Sequence, residues 1–216
     1  MKYKIKKIQI SCDGGAATGK STGAKMIAKK FNLKFLSSGL LYRYASYLIF
    51  KYEPKNKIIF LKTKFKNLDY KNLSKINLHT PKISAYSAII AKVNDVRKIL
   101  KKFQINFAKR NQNCCIEGRD ISTKIMPNSK IKFFFVCNLN KASVRRFKEL
   151  KKHNSNLKLK DVKKSLRIRN LSDTNRKNSP LLKHRDSVVI DTGKLDKQAM
   201  VAKMSKYVED KLLKNK

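Results

Sequence analysis

The stretch Asp13-Gly14-Gly15-Ala16-Ala17-Thr18-Gly19-Lys20-Ser21-Thr22 sets glycines, a lysine and hydroxyls at the spacing G-x-x-x-x-G-K-[ST]. Each fixed type has a task in holding phosphate. Gly14 and Gly19 permit backbone angles that aim several N–H groups at one anion. Lys20 carries a point charge to the outer phosphates, and the Ser21 hydroxyl is a ligand for Mg²⁺. Gly14, Gly15, Ala16, Ala17, Thr18, Gly19, Lys20, Ser21 and Thr22 are therefore the expected cradle of ATP or another nucleoside triphosphate. A plain glycine turn would need neither Lys20 nor Ser21.

Such a loop works only between a strand and a helix, because the helix N-terminus adds its dipole to the anion site. Ile8, Ile10 and Cys12 alternate before it, as one face of a strand does. Ala24, Ile27, Ala28 and Phe31 follow at i, i+3, i+4, i+7, the stripe of an amphipathic helix. Downstream, Cys114-Cys115-Ile116, ending at Glu117-Gly118, and Ile131–Cys137 predict central strands, and Val188-Val189-Ile190 another buried one. Ile89, Val93, Val96, Leu100, Phe103 and Phe107 predict one long helix. Asn140 is placed to cap a helix carrying Val144, Phe147 and Leu150. Met200, Val201, Met204 and Val208 mark a last helix. The Lys-rich run Ile58–Phe65 alternates in part and predicts exposed strands in a small insertion. The polar stretch 151–165 suits a mobile lid. This pattern predicts an α/β fold: a P-loop NTPase-type parallel sheet flanked by helices, in a single domain over residues 1–216.

Charge is the outlier of the composition, with 53 Lys+Arg against 14 Asp+Glu in 216 residues, a net +39. Clustered cations would indicate nucleic acid. The lysines instead run along the whole chain, interleaved with Asn and Ile, as solvated positions filled under a composition bias would be. No specific nucleic-acid partner is expected. Cys12, Cys114, Cys115 and Cys137 lie in apolar runs without a C-x-x-C pair and read as small buried hydrophobes in a reducing compartment. His79, His153 and His184 lack ligand spacing and read as surface residues. The basic N-terminal run is too short for a signal peptide, and no membrane span or membrane partner is expected. These readings predict a soluble cytoplasmic protein; a monomer is expected, although no residue pattern fixes the oligomeric state.

The loop alone fits a GTPase, a motor ATPase or a small-molecule kinase. The chain has no N-K-x-D guanine-reading motif and no apolar run ending in Asp-Glu. It has arginines and aspartates where loops should face the phosphates: Arg43, Arg97, Arg119-Asp120, Arg145-Arg146, Arg169, Asp173 and Arg176. Transfer of a phosphoryl group to another phosphate needs no strong base, because the acceptor oxygen is already anionic. It needs planar cations that hold two polyanions in line. A kinase of another acceptor (UMP or a non-nucleotide), a nucleic-acid-binding protein driven by NTP and a degenerate kinase kept for binding are the alternatives.

The order of blocks resembles the bacterial cytidylate kinases, within the P-loop nucleoside monophosphate kinases. Asp13–Thr22 is similar to that family's D-G-P-A-G-S-G-K-S-T, and Leu36–Arg43 (L-S-S-G-L-L-Y-R) to its L-D-[ST]-G-A-[ML]-Y-R. Glu117–Ile121 resembles G-R-D-[IM]. Arg169 through Asp173 and Arg176 to Ser179-Pro180-Leu181 resembles R-x-x-x-D-x-x-R…A-P-L, and Val189–Thr192 resembles V-I-D-T.

The resemblance implies Mg²⁺-ATP as donor and CMP or dCMP as acceptor. It implies an acceptor region at about residues 38–98 with a lid near 145–172. Arg43 and Arg119 would clamp the CMP phosphate, in a site that includes Ser38. Arg97, Asp120 and Arg176 would read cytosine, and Arg169 and Asp173 would contact the ribose. Lys20, Arg119, Arg145 and Arg146 would be catalytic, the last two toward the transferring phosphoryl. The chain departs from the pattern at Gly15, Ala17, Ser37 and Ala88. An alanine at position 17 is expected to keep φ negative.

Overall fold

The computed structural model describes residues 7–151 and 156–213. A five-stranded sheet runs in the order β2-β3-β1-β4-β5. Its strands are β1 (Gln9–Gly14), β2 (Lys34–Ser37), β3 (Cys114–Gly118), β4 (Ile131–Val136) and β5 (Val188–Asp191). β1 pairs in parallel with β3 and with β4, and β4 in parallel with β5. The sheet-bearing unit comprises residues 1–35 and 112–216, and a second compact unit comprises residues 36–111.

Helices α1 (Lys20–Lys30) and α8 (Lys197–Leu213) close the core of the first unit. Ile10 and Cys12 on β1, Phe133 and Phe135 on β4, Ile27 on α1 and Met204 on α8 all fall in one buried cluster. Gly23 lets α1 approach β4, since a Cβ there would lie 2.8 Å from the Phe135 ring. Burial on both faces explains why β3 and β4 read as dense apolar runs, interrupted only by the buried Glu117 at the end of β3 and the buried Lys132 in β4, whose ammonium donates to the Ser129 carbonyl. β5 departs from the reading of a buried strand. It lies at the sheet edge, where only Ile190 is buried and Val189 is exposed.

β3 and β4 lie on either side of β1: the chain builds β2 and β3 on one side of it and then crosses to build β4 and β5 on the other. In such sheets the usual ligand position is outside the C-terminal ends of the strands at this switch point. The loop after β1 sits there.

The second unit is helical: α2 (Ser38–Tyr52), α3 (Lys57–Lys66), a 3-10 turn (Tyr70–Lys75), α4 (Pro81–Ile90) and α5 (Asn94–Arg110). The exposed strands expected over Ile58–Phe65 are instead α3. Asn56 caps it by accepting from the Ile58 and Ile59 N–H groups, and Leu61 and Phe65 bury one face at i, i+4. The single long helix expected from Ile89 to Phe107 is two. Val93 is extended (φ −80°, ψ 117°) and caps α5, while Ile89 and Val93 point to solvent.

The remaining helices of the first unit are α6 (Leu139–Lys151) and α7 (Leu159–Asn175). Asn138, not Asn140, caps α6: its Oδ1 accepts the Asn140 N–H at 2.8 Å. The stretch expected as a lid thus consists of the end of α6 and most of α7, with 152–155, and so His153, outside the described residues. Cys12, Cys114 and Cys115 are buried free thiols, and Cys137 is partly exposed. His79 is exposed and His184 half-buried. Among the described residues no helix is long and apolar enough to cross a membrane.

Candidate phosphoryl-transfer site

The loop Gly15–Gly19 joins β1 directly to α1, whose first turn contains no acid to neutralise the helix dipole. Gly14 (φ 155°) lies so close to β4 that a Cβ would meet the Phe135 carbonyl oxygen at 2.5 Å. Gly19 caps α1 at φ 76°. Ala17 contradicts the expectation of negative φ, for it stands at φ 58°. Left-handed backbone costs an L-residue about 1–2 kcal/mol. Packing of Ala17 against the apolar cluster of Ala142, Val162 and Leu166 offsets part of that.

Glu117, at the end of β3, holds the two chemical groups of the loop together. Its Oε2 accepts from Lys20 Nζ at 2.5 Å, and its Oε1 accepts from Ser21 Oγ at 3.0 Å. Lys20 and Glu117 are both almost fully buried. Burial lowers the Lys20 pKa, Glu117 opposes that, and the nearby Arg119 charge lowers it further. Glu117 was not among the sequence candidates. The signal available for it was one of only 14 acids ending an apolar run.

Beside the loop lies a cluster of guanidinium groups around one carboxylate. Arg119 Nε donates to Asp173 Oδ2 at 2.7 Å, and Arg176 NH1 donates to Asp173 Oδ1 at 3.4 Å. Arg176 Nε also donates to the Ser179 carbonyl at 2.6 Å. Burial alone would raise the Asp173 pKa, but the charges of Arg119, Arg169 and Arg176 outweigh it and hold the carboxyl below its usual range. Asp120 is buried next to Arg119. The turn that carries them is fixed by Asp13, which accepts from the Ile121 N–H at 2.8 Å, the Ser122 N–H at 2.7 Å and Ser122 Oγ at 2.5 Å. Burial raises the Asp13 pKa, and these bonds pull it back.

The other candidates are placed as follows. Arg145 is engaged with Thr192, donating to its Oγ1 at 3.1 Å and its carbonyl at 2.7 Å. Arg146 pairs with Glu149 at 2.9 Å. In the helical unit, Arg97 is buried, donates to the Ala91 carbonyl at 3.1 Å and lies over the Tyr42 ring, next in sequence to Arg43. Ser38 is buried at the start of α2, and Ser37 caps that helix by accepting the Leu40 N–H at 3.3 Å. Asp191 forms a turn, accepting the Gly193 N–H at 2.9 Å. The structure thus assembles Lys20, Ser21, Arg119, Asp173 and Arg176 in the sheet unit, and Tyr42 with Arg97 in the helical one.

The hard oxygen donors of Ser21 and Glu117, adjacent at the loop, suit a Mg²⁺ ion. Among the described residues no group of three or more His, Cys, Asp or Glu side chains could hold a metal by itself.

A profile of the family described as cytidylate kinase matches residues 10–210. A cytidylate kinase of Clostridium tetani (strain Massachusetts / E88) is 33% identical over 230 positions, covering 97% of each chain. One from Mesomycoplasma hyopneumoniae (strain 7448) is 33% identical and covers 96% of each. Among solved structures, shikimate kinase from Bacteroides thetaiotaomicron shares the fold with a TM-score of 0.52, at 10% identity over 94% of this chain and 98% of that one.

Two expectations follow from the charges. Removing Lys20 leaves the Glu117 charge buried without its cation, so Lys20→Met should destabilise the protein by about 3 kcal/mol or more. Adding Glu117→Gln should recover about half of that, and chemical denaturation of single and double variants reads the coupling. The folded-state pKa of Asp173 is depressed, so its contribution is full above the unfolded value near ~3.9 and is lost as pH falls through the folded value. The gap in Tm between wild type and Asp173→Asn should therefore hold from about pH 5 to 8 and shrink below about pH 4. A gap that stays constant on acidification would contradict this.

Proposed function

The chain belongs to the cytidylate kinase family, and we propose that it transfers the γ-phosphoryl group of ATP to CMP or dCMP, giving ADP and CDP or dCDP. The observation that carries this reading is the Arg119–Asp173–Arg176 cluster beside a complete phosphate loop. A loop with Lys20 and Ser21 serves many phosphate chemistries, but a half-buried guanidinium cluster beside it serves an anionic acceptor.

In this reading Lys20 and the N-terminus of α1 bind the donor phosphates. Mg²⁺ held by Ser21, with Glu117 adjacent, would supply charge screening between the phosphates. Arg119 and Arg43 bind the acceptor phosphate, while Arg97, Asp120 and Arg176 recognise the base. Arg169 and Asp173 face the sugar, and Ser38 completes the acceptor set. Asp173 also holds Arg119 and Arg176 in position, so the acid governs two cations that would otherwise repel each other. No group is needed to remove a proton, since the attacking phosphate oxygen is already charged. The arginines supply orientation and charge stabilisation of the transition state. Arg145 and Arg146 open the proposed lid (about 145–172), and residues 38–98 form the proposed acceptor region. Arg145 is already bonded to Thr192, which supports a role in holding the donor side. Free, mostly buried cysteines fit a reducing cytoplasm. The protein acts as a monomer with ATP and the nucleotide as its partners, and its net +39 draws anionic substrates without selecting a nucleic acid.

The test is ADP release with Mg-ATP and each of CMP, dCMP, UMP, AMP and GMP at matched concentration. Turnover confined to CMP and dCMP is expected. Turnover with UMP or AMP but not CMP would replace the acceptor, and none with any nucleotide from folded protein would defeat the reading.

A further inference from the structure

No motif singles out Asn170, which projects from α7 onto the phosphate loop. Its Oδ1 accepts the Ala16 N–H at 2.9 Å. A Cβ on Gly15 would come within 3.1 Å of the same oxygen, so the helix and the loop touch and glycine leaves room for the contact. Apolar packing surrounds this bond, with Ala16 in one buried cluster with Ala142, Val162 and Leu166 and with Ala17 against them. On the far side of the loop, Thr192 Oγ1 donates to the Thr18 carbonyl at 2.8 Å. The amide of Ala16 is thus taken by α7.

Three residues further along α7 stands Asp173, which pairs with Arg119 at 2.7 Å. Three residues of helix rise only about 4.5 Å. Asn170 lies at the C-terminal end of the proposed lid, where one helical turn ties the donor loop at Asn170 to the proposed acceptor arginine at Asp173. In-line transfer needs the reacting atoms about 3–3.5 Å apart, and a displacement of about 1 Å can cost roughly a hundredfold in rate. An amide oxygen at position 170 accepts the bond without placing a negative charge beside the loop.

We propose that Asn170 is a positioning residue: its bond to the Ala16 N–H locks α7 to the phosphate loop and sets the separation of the donor and acceptor phosphates. This rests on the CMP kinase reading above. Neither substrate loses a direct contact when the bond is removed, so the effect falls on turnover and not on binding.

The test compares Asn170→Leu, which fills the space without an acceptor, with Asn170→Asp, which keeps one. Both are read by steady-state kinetics with Mg-ATP and CMP and by NMR hydrogen exchange at the Ala16 amide. Asn170→Leu should lower kcat by about 10- to 100-fold with either KM within about threefold. Its Ala16 amide should exchange at least ~10-fold faster than in wild type. Asn170→Asp keeps the acceptor, so Ala16 protection and kcat at saturating ATP should stay within about threefold of wild type, while its added charge raises the KM for ATP. A Leu variant with wild-type kcat, an Asp variant as slow as Leu, or an Ala16 amide equally fast in wild type and Leu variant would each overturn the proposal. Wild-type protein without CMP turnover would instead sink the proposed function, and the amide comparison alone would then decide whether Asn170 holds the loop.

Discussion

Glu117 is the point on which the donor side depends. One buried carboxylate receives the Lys20 ammonium on one oxygen and the Ser21 hydroxyl on the other. A buried ion pair of this kind contributes little net stability, because desolvation offsets most of the attraction. What it provides is placement. It joins the end of β3 to the start of α1, so the lysine and the hydroxyl are held at a helix N-terminus with their geometry already set. The next residues of the same strand end are Gly118 and Arg119, so the proposed acceptor clamp takes its position from the same element.

The rest of the site extends this logic. In a chain with 53 basic residues and 14 acids, cations are abundant and the means of fixing them are scarce. The acids at the site are spent on placement: Glu117 on Lys20, Asp173 on Arg119 and Arg176, and Asp13 on the turn that presents Arg119 and Asp120. Lysines exposed along the chain add a diffuse positive field but no geometry. Helix α7 bonds to the loop at Asn170 and to Arg119 at Asp173.

How far all this could be read in the sequence depended on range. The loop, β1, β3, β4 and α1 were legible because glycine spacing and apolar runs are local signals, and Arg119, Asp173 and Arg176 through their motif blocks. Residues 57–66 misled because Ile58-Ile59-Phe60 with a following alternation imitates a strand, whereas the deciding features were the Asn56 cap and the Leu61–Phe65 spacing. The run through Val93 hid a helix break, since Ile89 and Val93 continue the period although both face solvent. The positive φ of Ala17 has no sequence signature beyond an alanine where the D-G-P-A-G-S-G-K-S-T pattern it resembles has glycine. Glu117 and Asn170 act on partners 97 and 154 residues away, which no local pattern reveals.

The central claim is that one chain holds ATP and a cytidine monophosphate together with their phosphates in line. Calorimetric titration with a bisubstrate ligand, adenosine and cytidine joined through five phosphates, tests it most directly. The account predicts one site per chain and an affinity at least ~100-fold above that for ATP or CMP alone, because the second half binds at high effective concentration. An affinity no greater than that for ATP alone would show that the two phosphate sites do not act as one and would contradict the account.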